Sequence, residues 1–222
     1  MNSQHSNGFQ YFFEWAAKLA YLNILWILYS LAGLFVLGIG PATASLFTIM
    51  RDKLKGNDDY IIWRRFHDVY RQSFWRLNQL MIPIYVVGAF IYLDFLFVQA
   101  LPSSFVIDYV VFPALLLLTT LFILGSSYVF ALYVYVEYPY GRHIKNAFLM
   151  VGLYPLSSIF IFAGLSVFSV ILFIFPAIFP FYGISIPALI VISCANRAFD
   201  AFTAAKNLQL EKEAIDKPNN PV

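Results

Sequence analysis

From Asn146 to Asn196 the chain reads NAFLMVGLYPLSSIFIFAGLSVFSVILFIFPAIFPFYGISIPALIVISCAN, 51 consecutive residues without one Asp, Glu, Lys or Arg. As a single helix rising 1.5 Å per residue it would measure ~77 Å, against a bilayer hydrocarbon core of about 30 Å. The stretch therefore reads as a hairpin of two crossings, with Pro176, Pro180, Gly183 and Pro187 marking the turn. Only a lipid solvent accommodates so long an uncharged run, and there the backbone polar groups must be satisfied inside helices.

The composition agrees. Of 222 residues, 61% are hydrophobic, 19% aromatic and 12% charged, and the mean hydropathy is +0.73; an average soluble domain carries about 25% charged residues. An ordinary soluble protein is excluded. Leu77 to Leu93, ended by Asp94, is one crossing, and Tyr109 to Val136, closed by Glu137, is one long or tilted crossing. Leu19 to Met50, ~48 Å as a helix, is too long for one crossing and too short for two with a turn. It is broken by Gly38-Ile39-Gly40-Pro41. Glycine suits the end of a helix and proline the first turn of the next, so Gly38, Gly40 and Pro41 read as a structural turn leading into a short second helix over residues 41–55. Either that turn lies below the outer surface, buried by protein, or the second helix lies flat on the inner surface.

Orientation follows from the basic residues. Seven fall in Arg51 to Arg76, two more are Arg142 and Lys145, and four lie between Arg197 and Lys217, whereas the connections around Pro102 and Pro180 have none. The basic segments are expected in the cytoplasm. Lys18 places the N-terminus inside as well if the glycine-proline turn makes a hairpin, which gives six helices; five with an outside N-terminus is the alternative. The expected fold class is thus all-α, a polytopic transmembrane bundle forming one domain over residues 1–205, with a polar cytoplasmic tail over 206–222.

Between the second and third crossings, residues 59–76 place Trp63, Phe66, Tyr70 and Phe74 on one helical face and Arg64, Asp68, Arg71 and Gln72 on the other. This predicts a cationic interfacial amphipathic helix, with Arg64–Asp68 and Asp68–Arg71 at ion-pair spacing. Arg64, Arg65, Arg71 and Arg76 are its candidates for docking a protein partner or for contacting anionic lipid, the latter worth about 1 kcal/mol per basic residue.

Catalytic chemistry is hard to find. His5, His67 and His143 are scattered with no Cys or carboxylate cluster, Cys194 is the single cysteine, and phosphate loops and nucleophile elbows are lacking. No enzyme activity, metal or cofactor is expected, and a net charge of +2 gives no indication of a nucleic-acid partner. The weak polar candidates are Asp94 and Asp108 on the outer side, and Glu137 with Arg142 at the inner end of the fourth crossing. Pro83, Pro113 and Pro155 inside crossings read as kinks.

Asn23-Ile24-Leu25-Trp26, followed by Gly38-Ile-Gly-Pro-Ala-Thr-Ala-Ser-Leu46, resembles the opening signature of the YesL family of bacterial membrane proteins. Phe66, Tyr70 and Phe74 sit where that family has an aromatic-rich helix, Lys145-Asn146-Ala147 resembles its later helix entry, and Arg197 to Asp200 resembles its C-terminal ending; Ser73 stands where the family more often has Asn. The resemblance covers residues 9 to 205. It implies no established activity, but an association with carbohydrate uptake in Gram-positive bacteria. The expectation is a non-enzymatic accessory component in the cell membrane, bound to subunits of a carbohydrate ABC transporter, with both termini cytoplasmic. A sugar or small-solute transporter or channel is the alternative.

Overall fold

The computed structural model describes residues 8–57, 59–136, 139–196 and 199, and these are overwhelmingly helical. The helices are α1 (Gly8–Ala32), α2 (Val36–Leu54), α3 (Ile62–Ala100), α4 (Phe112–Tyr135), α5 (Tyr140–Leu153), α6 (Pro155–Ile174), the single turn α7 (Phe179–Tyr182) and α8 (Ser185–Asn196). A π turn, Ile107–Val111, leads into α4, and a 3₁₀ turn, Pro176–Ile178, leads into α7.

Four stretches are long and apolar enough to cross a membrane: Phe13–Ala32, Ile62–Ala100, Ile107–Tyr135 and Pro155–Ile174. A fifth results if Pro176–Tyr182 and Ser185–Asn196, bent by 62° at their junction, form one broken span. Six crossings are therefore not what the fold presents. The helix that drops out is α2, whose last turn carries Arg51, Asp52 and Lys53 and whose first residue lies partway along α3. There the Val36 carbonyl accepts a hydrogen bond from the Tyr85 hydroxyl at 2.8 Å, and Tyr85 lies 15 residues, ~22 Å, short of the far end of α3. The α1–α2 turn therefore lies alongside α3, short of its far end, with Leu34, Phe35 and Val36 exposed on the outside of the bundle.

The turn itself sits earlier than expected. The chain reverses at residues 33–35, with Leu34 at φ 56° and Phe35 at φ 65°, ψ −70°. The Val36 N–H bonds the Leu34 carbonyl at 2.8 Å, closing a γ-turn of the strained kind around Phe35. Gly38, Gly40 and Pro41 lie inside α2 instead. The glycines serve close approach, not chain reversal. A Cβ on Gly38 would overlap the Ser30 carbonyl oxygen and one on Gly33 would overlap the Gly38 Cα, so the two helix ends touch backbone to backbone.

The interfacial helix and the third crossing are likewise one element. α3 runs 39 residues, ~58 Å, through Arg76 and Pro83. The change from charged to apolar sequence at Leu77 marks a change of surroundings, and no helix-breaking residue accompanies it. Nor does the aromatic face of its first half all meet lipid. Phe66 is fully buried, and the Tyr29 ring of α1 lies 5.0 Å from Phe66, 4.9 Å from Tyr70 and 5.7 Å from Trp63.

Ring and backbone contacts give the register. Phe47 of α2 meets Phe130 of α4, Phe95 of α3 meets Phe112 of α4, Phe148 of α5 covers Gly125, and Ile190 of α8 covers Gly164 of α6. Ala42, Ala44, Ala131 and Ala147 are fully buried, so small side chains sit where helices approach. Around them Leu46, Ile49, Met50, Tyr128, Leu132, Ile161 and Ile192 form the core. Outside, Phe90, Phe97, Leu117 and Phe173 are more than half exposed, an apolar perimeter suited to lipid.

Candidate functional site

The most connected polar side chain in the apolar part of the bundle is Asn23 of α1, 1% exposed. Its Nδ2 donates to the Phe179 carbonyl at 3.2 Å and the Pro180 carbonyl at 2.8 Å. Its Oδ1 accepts from the backbone N–H of Ile184 at 2.9 Å and of Ser185 at 3.1 Å. An amide side chain offers two donor hydrogens and two acceptor lone pairs, and here all four are engaged. The need arises from the sequence of the break: at Gly183 the chain bends between α7 and α8, and while the Phe179 carbonyl also receives the Gly183 N–H, the Pro180 carbonyl and the first N–H groups of α8 turn to Asn23. Pro187, two residues into α8, has no N–H to satisfy. Asn23 thus closes a broken helix from the side. In the sequence Asn23 stands only as part of the Asn23-Ile24-Leu25-Trp26 signature, and its local signal is an amide within the uncharged part of α1.

Beside this junction a cavity of about 380 Å³ is lined by Trp26, Thr43, Phe47, Phe122, Ser126 and Ser127, among others. Its polar groups are largely bonded within the protein. Trp26 Nε1 donates to Thr43 Oγ1 at 3.0 Å, Thr43 Oγ1 donates to the Ile39 carbonyl at 2.7 Å, and Ser127 Oγ donates to the Ile123 carbonyl at 2.8 Å. Ser126 Oγ is buried without a partner.

At the basic end, Asp52 is nearly buried and binds two arginines. Arg51 Nη2 reaches its Oδ1 at 2.9 Å and Arg65 Nη2 its Oδ2 at 3.2 Å. Arg51 Nη1 also donates to the Val134 carbonyl, so this acid ties the end of α2 to α3 and α4. Tyrosines complete the cluster: Arg51 and Lys55 lie 5.7 and 4.9 Å from the Tyr135 ring, and Arg65 lies 5.9 Å from that of Tyr60. Neither Asp52 nor Arg51 stood out in the sequence, because a charge at a helix end normally reads as solvated.

The four arginines proposed as one docking face therefore divide. Arg65 is held by Asp52, Arg76 lies 5.5 Å from the Tyr133 ring, and Arg64, Arg71 and Arg76 are exposed. Asp68 is exposed as well, and the ion pairing of this segment runs through Asp52. Asp94 and Asp108 are exposed at the opposite end, where Asp108 accepts from the Ser103 hydroxyl. Arg142 is exposed; Glu137 lies outside the described residues, as do Arg197, Asp200 and the tail.

His143, 1% exposed, bonds the Val129 carbonyl through Nε2 at 3.1 Å and packs its ring 5.9 Å from Tyr133. Burial lowers its pKa from the ordinary 6.5; the Val129 carbonyl opposes the shift and the charge of Arg76 adds to it. The folded protein therefore holds this imidazole neutral while the unfolded chain takes up a proton as pH falls through 6.5, so stability is lost below that pH. The melting temperature of the detergent-solubilised protein is expected to fall between about pH 7.5 and about pH 5.5. His143→Gln, which keeps a donor near Val129, should flatten that slope, and an unchanged slope would place the titration elsewhere.

Fold and site together define a class: an all-helical bundle with four or five membrane-length apolar helices, one of them broken and closed by a buried amide. Residues 19–95, from α1 through most of α3, match the family described as "Protein of unknown function, DUF624". Uncharacterized protein YteU of Bacillus subtilis (strain 168) is 32% identical over 175 residues, 79% of this chain and 78% of that one. YesV of the same organism is 29% identical over 186 residues, covering 84% and 88%, and YesL is 44% identical over 90 residues, covering 40% and 43%; both are likewise described as uncharacterized. The chain belongs to this YesL-like DUF624 family. No solved structure matches it.

Proposed function

We propose that the protein is a non-enzymatic accessory component of carbohydrate uptake, seated in the cell membrane beside an ABC transporter, with its basic end in the cytoplasm. The observation that carries the accessory role is how the polar groups of the bundle interior are used. Asn23 closes the α7–α8 break; Thr43, Ser45, Thr48, Thr119, Thr120 and Ser127 each bond the carbonyl four residues back. Transporters of the broken-helix kind aim free helix ends at their substrate, whereas here a side chain of the protein takes up those ends. A sugar site also needs several convergent polar groups, and among the described residues that line the cavity beside the α7–α8 break only Ser126 Oγ is unpaired. Arg51, Lys55, Arg65 and Arg76 gather around Tyr60, Tyr133 and Tyr135, which supports a cytoplasmic basic end. The link to carbohydrate rests on the family resemblance.

Reconstitution separates this reading from a transporter. Liposomes containing the purified protein and loaded with radiolabelled mono- and disaccharides should exchange sugar no faster than protein-free liposomes. Saturable sugar flux that is diminished by Ser126→Ala or by Thr43→Val would make the protein a transporter in its own right.

A further inference from the structure

A second cavity, of about 390 Å³, opens between α1 and the first half of α3, and its walls are Tyr29, His67, Tyr70, Arg71, Phe74 and Trp75. We propose that it holds the phosphate and glycerol of one membrane phospholipid, with Arg71 as the phosphate ligand. This inference stands apart from the accessory role proposed above.

The wall is a connected set of rings. Tyr29 and Tyr70 centroids lie 4.9 Å apart, Tyr70 and Phe74 5.7 Å, and Phe74 meets Trp75 edge-on at 5.7 Å. Both tyrosine hydroxyls are engaged within the wall: Tyr29 Oη with His67 Nδ1 at 3.0 Å, and Tyr70 Oη donating to the Tyr29 carbonyl at 3.1 Å. The floor is accordingly held in place and presents ring faces, with Arg71 supplying a full positive charge. A guanidinium is planar and binds two oxygens of one phosphate at once, which a diffuse surface charge does not do.

The polarity of the surroundings selects a lipid over a soluble phosphate. On one side the cavity is bounded by the charged turns of α3. On the other it abuts Gly33 and the α1–α2 turn, where Leu34, Phe35 and Val36 are 82%, 52% and 59% exposed, and farther along α3 Ile82 and Val86 are also exposed. A cationic rim thus gives way to a bare apolar slope. A phospholipid matches both: phosphate at Arg71, glycerol against the rings, chains over the turn. Trp75, 78% exposed at the boundary, has the place that Trp takes at a membrane interface. A sugar phosphate or inorganic phosphate would satisfy the rim and leave the slope uncovered.

Native mass spectrometry of the full chain in detergent, titrated with phosphatidylglycerol, tests this. One lipid should be retained in preference to further ones, and Arg71→Ala should weaken its retention about tenfold. Arg64→Ala, exposed on the same helix but outside the cavity, should leave it unchanged, and glycerol phosphate should not displace it. Equal losses in the two arginine variants would show diffuse charge attraction and overturn the site, as would undiminished retention in Arg71→Ala. Displacement by glycerol phosphate at the lipid's own concentration would make it a soluble-phosphate site and equally overturn the proposal. Should Arg71→Ala melt below the wild type without lipid, Trp75→Ala carries the same comparison: weakened retention supports the site and unchanged retention rejects it.

Discussion

Asn23→Leu is expected to remove the folded protein from detergent extracts. The substitution keeps side-chain volume and apolar character suited to a helix in lipid, so α1 itself should form. What is lost is the partner of four backbone groups, the carbonyls of Phe179 and Pro180 and the N–H groups of Ile184 and Ser185. A buried polar group left unsatisfied costs about 1–3 kcal/mol; the Phe179 carbonyl keeps the Gly183 N–H, and the three groups that are stranded take up much of the stability of a typical domain, roughly 5–15 kcal/mol. Asn23→Asp separates the two halves of the interaction. It retains acceptors for the N–H groups but turns a carboxylate toward two carbonyls, and should also be severely destabilised. Asn23→Gln carries the right groups one methylene too far out and should fall between. Fluorescence-detected size-exclusion chromatography of tagged variants reads the outcome directly; Asn23→Leu eluting and melting like the wild type would show that the break does not depend on this amide.

The next largest effect is expected at Gly38, with Gly40 as its control. A methyl group at Gly38 meets backbone, the Ser30 carbonyl and Cα, which cannot move without separating the tips of α1 and α2. At Gly40 the nearest atom is Met81 Cγ at 2.8 Å, part of a flexible side chain that can change rotamer. Overpacking usually costs about 1–3 kcal/mol, so Gly38→Ala should fall at or beyond the upper end of that range and Gly40→Ala at the lower end. Thermal melting of the two variants in one detergent is sufficient. Equal losses would show that the backbone contact at Gly38 is no tighter than the side-chain contact at Gly40.

That contrast shows where the sequence was legible. The uncharged run from Asn146 to Asn196 points to lipid as the solvent, and Pro176, Pro180, Gly183 and Pro187, read as one hairpin turn, fall on the 3₁₀ turn after α6 and on the bend between α7 and α8, because irregular backbone there is a consequence of local chemistry. The α1–α2 turn was displaced by several residues for a physical reason: Leu34 and Phe35 adopt positive φ, which neither residue type favours and only the surrounding packing imposes. Glycine in a membrane bundle has two uses, reversal and close approach, and sequence alone does not separate them. The role of Asn23 was beyond local reading, since its partners lie 156 to 162 residues away. The contacts that the charges make are not local in sequence. Arg65 and Arg76 belong to the arginine-rich segment as expected, yet Asp52 binds the first and the Tyr133 ring lies beside the second, whereas Arg64 is exposed outside the ring-lined cavity.

Copurification tests the accessory assignment most directly. Tagged protein expressed at its native level, extracted in a mild detergent and captured through its tag, should bring down the membrane subunits of a carbohydrate ABC transporter, identified by mass spectrometry. Arg64→Glu should reduce that recovery while leaving the amount of folded bait unchanged. Capture of the intact bait with no transporter subunit, after crosslinking in the membrane as well as without it, would contradict the assignment.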